Sequence, residues 1–108
     1  MADRGRENGA AVVEPGGDGL IRVRGDMVFS TAGSLLEQGD ALIAGEGPLV
    51  VDLSGVSKCD SAALALLLEW LERARRRGTD IRYRHLPDAL RGIARLSNVE
   101  ALLPLADA

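Results

Sequence analysis

The segment from Pro48 to Arg77, PLVVDLSGVSKCDSAALALLLEWLERARRR, constrains the fold more than any other part of the chain. It begins with PLVVDL, a short continuous apolar run after a Gly-Pro break, which predicts a strand covered by neighbours and central in its sheet. From Ser61 to Arg77 the composition turns to Ala, Leu, Glu and Arg without Gly or Pro, and Gly78 follows as a C-terminal stop, which predicts a long helix. Between the two, Lys58, Cys59, Asp60 and Ser61 break the apolar run. Asp60 and Ser61 are residue types that cap a helix N-terminus, because their side-chain oxygens accept from backbone amides left free in the first turn.

The rest of the chain falls into place around this unit. Residues 1–17, MADRGRENGAAVVEPGG, mix charges, Gly and Pro without periodicity, so a disordered tail is expected there and the domain is expected over 18–108. Leu20 to Arg24 and Met27 to Phe29 are short strand candidates, with Gly25-Asp26 suited to a tight hairpin turn. Ser34 to Ala44 has helical spacing, with Ser30 or Thr31 available as N-cap. Ile81 to His85 alternates like a half-exposed strand, and Leu86-Pro87-Asp88 opens a final helix. The order β-β-α-β-α-β-α implies an α/β fold, a mixed sheet backed by helices on one side.

Composition limits the function. A chain of 108 residues, 46% hydrophobic, supports one core. Phe29, Trp70 and Tyr83 are its only aromatics and its formal net charge is -3, which argues against nucleic acid, since base-stacking platforms and a basic excess are both missing. Cys59 is the single cysteine and no stretch reads as a signal peptide or membrane span, so a cytoplasmic protein without membrane insertion is expected. No phosphate loop, dinucleotide turn, nucleophile elbow, zinc helix or CxxC pair occurs, and an enzyme is not expected; no catalytic residue, metal or cofactor is assigned. His85 reads as a packed or solvated residue, Asp52 and Asp60 as loop chemistry, Cys59 as a small core residue, and the Arg73 to Arg77 run as a solvated helix end favoured by the dipole.

On the long helix, Leu64, Leu67, Leu68 and Leu71 form the stripe expected to face the sheet. Ala62, Ala63, Leu66 and Trp70 then fall on a second line continued by Arg73 and headed by Ser61. Two readings stand: an interface with Trp and Arg as anchors, or peripheral core under a neighbouring helix. The interface is the expectation adopted, with Ser61, Ala62, Ala63, Leu66, Trp70 and Arg73 as partner-binding residues.

VVDLSGV, then CDSAALALL, then the tail IRYRHLPDALRGIARLSNVEALL resemble the STAS family, the fold of anti-sigma-factor antagonists. Antagonists that work by partner switching carry two hydroxyl residues and a Gly after the Asp, the second hydroxyl accepting phosphate from an anti-sigma kinase. Here that position is Ala62, and Ala63 replaces the Gly, so Ser61 is the sole remaining phosphosite candidate. The chain looks most similar to the branch found as the small STAS subunit of Mla-type phospholipid transporters, with one hydroxyl residue after the Asp. The resemblance implies a non-catalytic subunit that binds the cytoplasmic ATPase of an ABC transporter at the inner membrane of a Gram-negative bacterium, with ATP and Mg2+ held by that partner. The alternative it implies is an antagonist that captures an anti-sigma factor kinase.

Overall fold

The computed structural model describes residues 11–43 and 47–106. Four strands form one sheet in the order β1 (Val12–Pro15), β2 (Leu20–Met27), β3 (Pro48–Cys59), β4 (Asp80–Arg84). The first pair is antiparallel and the other two are parallel, so the sheet is mixed as expected and β3 is an interior strand. Three helices, α1 (Phe29–Leu42), α2 (Ser61–Arg76) and α3 (Asp88–Leu96), and a 3-10 turn (Glu100–Leu102) complete the described residues.

Strand alternation decides where the helices lie. Val13, Ile21, Val23, Val51, Leu53, Ile81 and Tyr83 are buried on one face. Arg22, Arg24, Arg82 and Ser54 lie on the other, solvent-facing side. Side chains two apart in a strand share a face, so the helices cover the first face alone. Tyr83 ties the layers together: its phenol donates to the Leu67 carbonyl of α2 at 2.6 Å. Burial pushes its pKa well above the ordinary phenol value.

Three expectations are corrected by these elements. The tail does not extend to residue 17, because Val12–Pro15 pairs with β2 from Val12↔Arg24 to Pro15↔Ile21 and buries Val13; the ordered domain begins before residue 18. Residues 1–10 lie outside the described residues. The opening hairpin is therefore β1-β2, turning through the glycines at Gly17 and Gly19, both at positive φ. Gly25-Asp26 is not a turn at all. Gly25, at φ +96, sits inside one continuous β2, beside register shifts against β3; the same tolerance of positive φ that suits a turn serves a bulge. Third, α1 starts at Phe29 rather than Ser34, and neither Ser30 nor Thr31 is its N-cap. Val28 is, its N–H donating to Thr31 Oγ1 at 3.0 Å, while that hydroxyl donates to the Asp26 carbonyl at 2.6 Å.

Candidate docking groove

The N-termini of α1 and α2 lie side by side, joined by one carboxylate. Asp60, the N-cap of α2, accepts from Ala62 N–H through Oδ1 at 2.8 Å and from Phe29 N–H through Oδ2 at 3.1 Å. One side chain thus satisfies free amides of two helices, which fixes their spacing. Of the two expected cap residues Asp60 carries the role, and Ser61 is the first residue of the helix, exposed to solvent.

Beside this junction runs a groove of about 620 Å³. From α1 it is lined by Phe29, Ala32, Gly33 and Leu36, and from α2 by Ser61, Ala62, Ala65, Leu66 and Glu69. Ala, Gly and Ser at its walls let a partner approach the helix backbones closely, and Phe29, 85% exposed, stands at its mouth. An exposed Phe beside an apolar depression is the kind of surface that partners cover.

The expected interface strip divides between groove and core. Ser61 and Ala62 line the groove, and Leu66 contributes to its floor while remaining only 4% exposed. Ala63 is fully buried and Trp70 is 1% exposed, so neither is a surface anchor. Trp70 packs on α1: its Nε1 donates to the Leu36 carbonyl at 3.3 Å, and a methyl group added at Gly39 would overlap the indole ring. The cause is the placing of α2 between α1 and α3, which widens its buried arc until Ala63, Leu66 and Trp70 face α1. Leu64 and Leu67 are buried as expected, whereas Leu68 and Leu71 are half-buried.

Arg73 is also no anchor at this groove. It bonds Glu69 at 3.0 Å and Asp40, near the end of α1, at 3.1 Å. Its guanidinium beside Asp40, with Arg77 nearby, holds that carboxyl below its usual range. Arg77 closes α1 by donating to the Asp40 and Ile43 carbonyls at 3.0 and 2.9 Å, and Arg75 and Arg76 pair with Glu72. The basic run is absorbed into helix-end ion pairs.

Residues missed in the sequence are Phe29, Ala32, Gly33, Leu36, Ala65 and Glu69. Phe29, Ala32 and Gly33 depend on that helix beginning at Phe29, which no apolar period announces, whereas Leu36 lies within the expected helix and only its facing neighbour was hidden. Ala65 carried a signal, since it is a small residue opposite the stripe of Leu64, Leu67 and Leu71.

Asp52 proves to be strand chemistry, not loop chemistry. It is 6% exposed within β3 and accepts from Ser54 N–H at 2.9 Å, from His85 Nδ1 at 3.0 Å and from Arg84 at 3.3 Å. Burial alone would raise its pKa; the Ser54, His85 and Arg84 hydrogen bonds outweigh it and hold the carboxyl well below the ordinary range. Eight residues of extended chain separate Asp52 from Asp60, on the order of 25 Å, so they form no carboxylate pair. Cys59 is half-buried; burial, and then the negative charge of Asp60, raise its thiol pKa, opposite to an activated cysteine. No group of three or more potential metal ligands occurs among the described residues, and no helix among them is long and apolar enough to cross a membrane.

Solved structures share this architecture. An anti-sigma factor antagonist from Mycobacterium paratuberculosis superposes with a TM-score of 0.73 at 25% identity, covering 92% of this chain and 86% of that one. The Bacillus cell fate determinant SpoIIAA in its phosphorylated form gives 0.63 at 13% identity over 91% and 92% of the two chains. A sulfate transporter family protein from Wolinella succinogenes gives 0.61 at 20% identity over 78% and 69%. The profile described as "Mlab, STAS domain" matches residues 10–104, beginning just ahead of β1 and ending at the segment that flanks β4, and on that match the chain belongs to the STAS domain family.

Proposed function

We propose that this chain is a non-catalytic subunit that docks on the cytoplasmic ATPase of an ABC-type phospholipid transporter, using the groove between α1 and α2. Ser61, Ala62, Ala65 and Phe29 form its contact surface, with Leu66 as the floor. ATP and Mg2+ belong to the partner, which holds the subunit at the inner membrane. The observation that carries the reading is an apolar groove at two paired helix N-termini, with Ala62 where a phosphorylated antagonist needs a hydroxyl. The Mla label of the matching family supports the transporter side of the assignment.

A second reading, an antagonist that captures an anti-sigma factor kinase, draws support from the 25% identity to the mycobacterial antagonist. Titration of the chain against the ATPase and, separately, against an anti-sigma kinase discriminates the two. The ATPase should bind, and Ser61→Arg, Ala65→Arg and Phe29→Ala should each weaken it by at least about tenfold while thermal stability is kept. Binding to the ATPase that all three variants leave unchanged would remove the groove from the interface. Incubation with the kinase and ATP should leave the intact mass unaltered, since Ala62 offers no acceptor oxygen; stoichiometric phosphate on Ser61 would favour the antagonist.

A further inference from the structure

β1 is an edge strand, and an edge presents unpaired backbone N–H and C=O groups that template pairing with another chain. In this protein that edge is occupied by a side chain. The Gln38 carboxamide on α1 accepts from Val13 N–H through Oε1 at 2.8 Å and donates through Nε2 to the Ala11 carbonyl at 3.3 Å. Nε2 also donates to Ser34 Oγ at 3.0 Å, which fixes the amide's orientation from within its own helix. In a parallel ladder, one residue donates to the carbonyl before its neighbour and accepts from the N–H after it, straddling that neighbour. Gln38 straddles Val12 in this manner.

We propose that the Gln38 side chain takes the place of one residue of a parallel neighbouring strand and so closes β1 against strand addition by a second copy of this chain. The far edge of the sheet is closed by the same pattern from backbone. There, Tyr83 N–H donates to the Pro104 carbonyl at 2.8 Å and Ala106 N–H donates to the Tyr83 carbonyl at 2.7 Å, so that Tyr83 straddles Leu105 in a parallel bridge. With β4 covered by the chain's own backbone, β1 is, among the described residues, the edge that relies on one side chain, and it carries Val12 and Val13, which suit strand pairing. A two-fold axis beside it would pair β1 of each copy, the self-complementary contact of a symmetric dimer. The inference concerns the opposite side of α1 from Ala32 and Leu36 and is independent of what the groove binds.

Sedimentation velocity over a wide concentration range tests it with wild type, Gln38→Ala and the double variant Gln38→Ala/Val13→Pro. Ala keeps the helix and opens the edge, so Gln38→Ala should self-associate at concentrations about tenfold or more below any association of wild type. Proline at 13 removes the outward N–H without disturbing the β2 ladder, and the double variant should return to wild-type behaviour. Gln38→Met, which keeps side-chain length, provides the same comparison should the alanine variant not fold. In parallel, hydrogen exchange at Val13 N–H should quicken in both single variants while the N–H groups of β2 keep their protection. Self-association of the single variants no greater than wild type, or association that Val13→Pro leaves intact, overturns the proposal.

Discussion

Trp70, expected at an interface, lies in the core, and Phe29, expected at the end of a short strand, stands exposed at the mouth of the groove. Their substitution should separate accordingly. Trp70→Ala removes an indole packed on Gly39 and a hydrogen bond to Leu36, and chemical denaturation should show a loss of about 3 to 5 kcal/mol. Phe29→Ala removes a ring that touches solvent over most of its surface, and stability should stay within about 0.5 kcal/mol. Gly39→Ala gives a test of sign. Helix propensity alone favours Ala by about 1 kcal/mol, but its methyl would collide with the Trp70 ring, so the variant should be less stable than wild type. A more stable variant would mean that the indole can move aside.

At the scale of elements, β1 and the first turn of α1 escaped sequence reading for different reasons. β1 contributes one buried side chain, Val13, and its reason for existing is the ladder to β2, a pairing that local pattern does not encode. Deleting residues 1–17 should therefore lower the melting temperature by about 4 °C or more, because the ladder, Val13 and the Gln38 bonds are lost together. The first turn of α1 is made of Phe29, Ser30 and Thr31, poor in apolar period, and depends on Asp60, which lies across the fold. By contrast β3, α2 and β4 were legible, since β3 has a continuous apolar run, α2 an uninterrupted helical composition with a glycine stop, and β4 an apolar-basic alternation. Tyr83→Phe tests the tie between two of them: losing the bond to the Leu67 carbonyl should cost about 1 to 2 kcal/mol by denaturation.

Over the whole molecule, the open face of the sheet carries one row of charge across all four strands, Glu14↔Arg22↔Asp52↔Arg84 in register. Asp52 is its buried member, so this row titrates with global stability. Its carboxyl is held below its unfolded value near pH 4, so its stabilisation is complete above that value and is lost as pH falls through it toward the strongly acid range. Asp52→Asn should cost about 2 kcal/mol near neutrality, and the gap from wild type should close in denaturation curves taken below about pH 4. A gap that widens on acidification would contradict the sign. The α/β class, the interior strand, the long helix and the place of the Asp60-Ser61 junction were readable from the residues alone, because these rest on local composition and on the periods of 2 and 3.6 residues. Which side of α2 is surface depends instead on packing between elements. A helix flanked by α1 and α3 buries a wider arc than one stripe against a sheet, so Ala63 and Trp70 passed into the core while Phe29, Ala32 and Ala65 completed the groove; that choice is made by neighbours distant in the chain, and no single helix records it.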